Sequence, residues 1–124
     1  MYTFMQGMAK LCDFGWSIYE AKNFRSTICG TPLYLPPEIL KGKKYNEKID
    51  VWAIGTLCHE MATGRNPFGI KRQEELGKIV KESFEMKAGS PDLKNFVSFI
   101  LKKEPEGRPT AEMLLKHPFI EKYG

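Results

Sequence analysis

The sequence predicts a mainly α-helical protein, with a short β-hairpin followed by about five helices. Three observations carry that prediction. Gln6-Gly7 separates two short apolar-aromatic runs at the start of the chain, which is a hairpin signal. "SPDLKNFVSFILKK" sets Leu93, Phe96, Val97, Ile100 and Leu101 on the i, i+3, i+4, i+7, i+8 pattern of an amphipathic helix. Elsewhere, prolines and glycines fall where helices start and stop.

In chain order, "MYTFMQGMAKLCDF" gives the hairpin and leaves Asp13 just past its second strand. Residues 15–35 are rich in Ser, Thr, Gly and Asn and have no helical or strand period. They read as a long loop, and such loops in compact domains carry function. "PPEILKG" is a short helix opened by proline and closed by Gly42. Asn46 is the expected N-cap of the next helix. From Ile49 to Ala62 its apolar residues cover almost the whole circumference, so burial on nearly all sides is expected. "GRNPFG" is a loop. "KRQEELGKIVK" is a polar helix with a thin stripe of Leu76, Ile79 and Val80. Ser90 caps the amphipathic helix and Pro91 takes its first position. A last helix begins at Thr110, is expected to bury Met113 and Leu114, and stops at His117-Pro118.

Composition excludes several function classes. At 124 residues the chain is one domain or one piece of a larger one. Its 42% apolar and 27% charged residues are ordinary for a globular protein. The net charge of +4 comes partly from Lys41, Lys43, Lys44 and Lys102, Lys103, which read as solvated faces. No aromatics are interleaved with them for base stacking, so nucleic acid is not an expected partner. Cys12, Cys29 and Cys58 have no metal-site spacing, and their odd number argues against a disulfide framework. His59-Glu60 starts like a zinc-protease helix, but Thr63 stands where the second histidine belongs. No signal peptide or membrane-length apolar run is visible, so no membrane partner is expected.

The residues that carry chemistry form an ordered series. "DFG" at 13–15 is followed by "GTPLYLPPE" at 30–38, "DVWAIG" at 50–55, "GRNPF" at 64–68 and "GRPT" at 107–110. This series resembles the C-terminal lobe of a eukaryotic protein kinase across residues 8–120. "DFGWS", "CGTPLYLPPEIL" and "YNEKIDVWAIGTLCHEMATGRNPF" are most similar to the Aurora kinases, with Pro32-Leu33 as a departure.

The resemblance implies a partial kinase domain over 1–124: the end of the catalytic-loop hairpin, an activation segment at 13–38 and C-lobe helices at 46–120. It implies that Asp13 coordinates the magnesium that bridges the phosphates of ATP; the alternative is a turn-capping acid. Thr27, with Ser26 beside it, matches the activating phosphosite, where a phosphate adds charge that arginine can read; the alternative is an unmodified loop hydroxyl. Gly30 and Thr31 would shape the pocket for the substrate residue after the phosphorylated one. Glu60 would pair with a substrate arginine, giving a preference for basic residues before the target Ser or Thr, or else be a solvated or capping acid. Glu38 and Arg108 would be a buried structural ion pair, and Asp50 would accept catalytic-loop N–H groups as an anchor.

No Gly-rich phosphate loop, third-strand lysine or His-Arg-Asp stands before residue 13. The catalytic base is therefore expected to be absent and the chain to be catalytically incompetent, with ATP and magnesium handled by a longer parent kinase. A truncated gene model or spliced fragment would account for Met1 falling in mid-domain. The alternative is a genuine short protein that acts as a non-catalytic interaction module, binding a substrate or a partner kinase. Without the missing N-terminal parts, part of the helix at 49–62 should be exposed, which predicts association or partial disorder. An activating partner protein and a cytoplasmic or nuclear location follow from the resemblance, with spindle or centrosome only through the Aurora likeness.

Overall fold

A computed structural model describes residues 2–5, 7–11 and 33–124. The hairpin is present. Strand β1 (Tyr2–Met5) pairs antiparallel with β2 (Met8–Leu11), in a register that opposes Tyr2 to Leu11 and Met5 to Met8. Gly7 sits at φ +77°, the left-handed conformation a two-residue hairpin turn demands.

The remaining described elements are helical. A single turn α1 (Pro37–Leu40) is followed by α2 (Lys48–Thr63), α3 (Gly77–Lys81), α4 (Pro91–Ile100), α5 (Ala111–Leu115) and α6 (Pro118–Tyr123). Short 3₁₀ turns at Gln73–Leu76 and Pro105–Gly107 lie between them. Local chemistry explains most boundaries. The N-cap of α2 is Glu47 rather than Asn46, whose Oδ1 still accepts from the Lys48 amide at 3.1 Å, and Gly64 ends that helix at φ +69°. Ser90 Oγ accepts from Leu93 N at 3.3 Å, and Thr110 Oγ1 from Met113 N at 3.1 Å.

Helix α2 crosses α4 at the centre of the core. Gly55 makes this approach possible: a Cβ there would lie 2.5 Å from Ile100 Cγ2 and 2.9 Å from Leu101 Cδ2. Trp52, Phe68, Ile70, Ile79, Met86, Val97 and Leu101 pack on one side of the crossing. Val51, Phe96, Ile100 and Leu114 pack on the other. Trp52 stacks on Phe68 with ring centroids 5.9 Å apart.

The exposure expected on the helix at 49–62 is present: α2 is buried along one side, through Val51, Trp52, Gly55 and Thr56, while Ile54 is 39% and Met61 76% exposed. The apolar circumference is therefore unevenly covered among the described residues. Three expectations are corrected. Met113 is half exposed rather than buried, because the short helix α5 turns only Leu114 inward. Pro118 opens α6 as well as ending the preceding turn: proline lacks the N–H that a first helical position leaves unpaired. His117 bridges the two helices. Its Nδ1 accepts from Phe119 N at 3.1 Å, Nε2 faces Asn95 Oδ1 at 3.0 Å, and the ring packs on Phe96 and Phe99. "KRQEELGKIVK" divides into a 3₁₀ turn and α3, which still buries Ile79.

Candidate functional site

The described part of the candidate site is the stretch 33–38 and what holds it. Pro36, Pro37 and Glu38 are all buried, so this stretch is pinned at its C-terminal end. Glu38 lies in α1 and meets Arg108, which follows the 3₁₀ turn at Pro105–Gly107. The guanidinium grips the carboxylate at two points, Nη1 to Oε1 at 2.6 Å and Nη2 to Oε2 at 2.7 Å. Both side chains are almost completely buried.

Such a pair is stable only if its remaining hydrogen-bonding capacity is met. Here it is. Arg108 Nε donates to Lys102 O at 2.7 Å, Nη1 also to Lys48 O at 3.2 Å, and Nη2 also to Lys103 O at 3.0 Å. All five guanidinium N–H groups have acceptors. The Trp52 ring lies 4.9 Å from the guanidinium carbon and adds a cation–π contact. Lys48 closes the arrangement, with Nζ donating to Arg108 O at 2.5 Å. The fork thus joins α1, the head of α2 and the segment after α4.

Two further ties hold the other end of the stretch. Asn66 Nδ2 donates to Leu33 O at 3.1 Å, while its Oδ1 accepts from Phe68 N at 2.9 Å. The Tyr34 hydroxyl donates to Glu60 Oε2 on α2. One carboxylate therefore faces the 33–38 stretch from the flank of the central helix. Asp50 is exposed in the first turn of α2. His59 Nδ1 lies 2.9 Å from Arg65 O and its ring meets the edge of Phe84, so it serves the helix end and loop.

The structure brings Glu38 to Arg108 and Glu60 to the stretch just before α1. Asp13, Ser26, Thr27, Gly30 and Thr31 lie outside the described residues. Among the described residues no group of three His, Cys, Asp or Glu side chains could hold a metal ion, and no helix is long and apolar enough to cross a membrane. Sequence reasoning missed Tyr34, Asn66 and Lys48. Asn66 carried a signal, since asparagine before proline favours a side-chain-bonded turn. Lys48 carried none, being one lysine in a polar stretch.

A carboxylate-clamped loop end on a helical core, with the "DFG" to "GRPT" series in order, defines a protein-kinase C-terminal lobe. Residues 1–120 match the family model described as protein kinase domain, and the chain belongs to that family. Among curated proteins it is similar to Aurora kinases. It is 38% identical over 122 residues to the Aurora kinase of Schizosaccharomyces pombe, covering 96% of this chain and 34% of that protein. It is 40% identical over 118 residues to Aurora kinase A-B of Xenopus laevis, covering 94% and 29%. It is 36% identical over 124 residues to Aurora kinase C of Mus musculus, covering 96% and 44%. The chain thus spans less than half the length of each of these relatives.

Proposed function

We propose that this chain is the C-terminal lobe of an Aurora-like, ATP-dependent Ser/Thr protein kinase, with its activation segment at 13–38 and lobe helices at 46–120. Phosphotransfer to protein Ser and Thr side chains belongs to the full-length parent, acting in the cytoplasm or nucleus. The chain as written does not perform it alone, because its sequence contains no Gly-rich loop, phosphate-binding lysine or His-Arg-Asp base. The observation that supports this reading best is the two-point Glu38–Arg108 fork, which fixes the end of the segment bearing Thr27, Gly30 and Thr31.

In this reading Asp13 holds magnesium, and bound magnesium and ATP supply the phosphoryl group and neutralise its charge. The described residues position substrate. The anchored stretch 33–38 follows Gly30 and Thr31, whose role in this reading is to receive the residue after the target hydroxyl. Glu60, oriented by Tyr34, presents negative charge to a basic residue before it. Phosphate on Thr27 or Ser26 orders the segment, and an activating partner protein acts on the same segment.

The test is phosphotransfer from labelled ATP with magnesium to a basic Ser/Thr peptide. The chain alone should give none. The same residues joined behind a lobe carrying the Gly-rich loop, lysine and His-Arg-Asp should give transfer that Asp13→Ala abolishes. Turnover by the chain alone, lost in Asp13→Ala, would refute the incompetence; silence of the joined protein would refute the kinase-lobe reading.

A second reading, a non-catalytic module that binds a substrate or partner kinase, is favoured by exposed Ile54 and Met61 on α2. Competitive inhibition of a complete Aurora-type kinase by the chain, relieved by Ile54→Lys with Met61→Lys, would select it.

A further inference from the structure

Behind the Glu38–Arg108 fork lies a cleft of about 90 Å³, lined by Glu38, Lys41, Lys43, Lys44, Lys103 and Glu106, with Pro37, Glu104 and Pro105 completing the wall. Liquid water occupies about 30 Å³ per molecule, so this space would hold about three waters or one small tetrahedral oxyanion.

The charges around it do not balance. Four lysines come from two separate segments, 41–44 after α1 and 103 after α4. Of the three carboxylates in the wall, Glu38 is fully engaged by Arg108. Glu104 lies 4.0 Å from Lys41, at the limit of an ion pair, and is 69% exposed. Glu106 is exposed, and Glu82 faces Lys103 from beyond α3. Lys103 is half-buried and donates to Val80 O at 2.9 Å, a carbonyl outside the cleft wall that leaves its charge unneutralised. Burial and the neighbouring Lys41 both disfavour its charged form and lower its pKa. A dianion placed among these lysines would relieve that repulsion and accept several charge-assisted hydrogen bonds.

We propose that this cleft is a binding site for a phosphate dianion, either free inorganic phosphate or the phosphate of a phosphorylated side chain. The site is about charge and shape, and it stands whether or not the chain is a kinase lobe. An anion here would link the end of α1 to the segment whose carbonyls hold Arg108, so its occupancy would brace the fork from behind.

The experiment is an amide NMR titration of the whole chain with sodium phosphate at constant ionic strength, with sodium chloride as control. Saturable shifts confined to residues 41–44 and 103–106 are expected with phosphate and not with chloride. Lys43→Gln with Lys44→Gln, both exposed and remote from the core, should weaken binding about tenfold, as should Lys103→Gln separately, each matching the loss of a charge-assisted hydrogen bond. Glu104→Gln should tighten it by removing a competing carboxylate. A phosphoserine peptide tighter than inorganic phosphate, with its unphosphorylated form silent, identifies the side-chain source; equal affinities identify the free anion. Linear shifts shared with chloride, or phosphate binding unchanged in the folded Lys43→Gln/Lys44→Gln protein, would overturn the proposal.

Discussion

Arg108 decides how the 33–38 stretch is held, and it does so by geometry as much as by charge. Its planar fork meets Glu38 at two points while three carbonyls take the other N–H groups. Lysine has no such fork. Glu38→Gln should therefore lower unfolding free energy by about 3–5 kcal/mol, because it strands a buried guanidinium. Arg108→Lys should not rescue the loss. Urea unfolding checks both, as a fall in midpoint at unchanged slope. Glu75 gives a pH test at the same scale. Its carboxylate accepts from the Lys71 and Arg72 amides and from Lys78, and the Lys71 amide is the chief reason its pKa falls from 4.5 to about 2. A depressed carboxyl stabilises the fold above its unfolded pKa and loses that contribution as pH falls toward the folded one. Carbon-detected titration should place the Glu75 midpoint near 2, and Glu75→Gln should flatten stability between about pH 4.5 and 2.

At the level of elements, the crossing of α2 and α4 rests on one missing methyl group. Gly55→Ala adds a carbon 2.5 Å from Ile100 Cγ2, and neither Ile100 nor Leu101 has space to retreat, both being buried. Alanine favours helix by about 1 kcal/mol over glycine. Overpacking typically costs about 1–3 kcal/mol, so a net loss of stability is expected, readable as a lower thermal midpoint. This scale also shows what could be read from sequence. Helix α4 was legible to the residue at its start because Ser90, Pro91 and a clean five-residue stripe agree. The hairpin was legible because a glycine at positive φ joins two short strands. Helices α5 and α6 were not separable, since helices of five and six residues hold too few apolar positions to fix a face. The anchoring pair was legible only through the motif series, because two residues 70 positions apart share no local pattern. Tyr34–Glu60 and Asn66–Leu33 are likewise tertiary ties, so they emerged only from the structure.

The whole molecule carries one unbalanced feature, the outer side of its longest described helix. At 100° per residue, Ile54 and Met61 fall within about 20° of one another, about 140° from the centre of the arc formed by the buried Val51, Trp52, Gly55 and Thr56. Composition made this helix look central on every side, whereas the described residues enclose only half of it. Exposed apolar surface on a short chain favours association, because covering it removes hydrocarbon from water. Sedimentation velocity should show the chain's average mass rising with concentration. Ile54→Lys together with Met61→Lys should hold it at the monomer value. The urea midpoint should change little, since substitutions at surface positions usually shift stability by less than about 0.5 kcal/mol. The converse change, Val51→Lys, should unfold the chain rather than disperse it. A monomer at all concentrations in the unmodified chain would show that this exposed side needs no second surface to cover it. Association measured this way reports how much of the longest described helix is left for a second surface to cover.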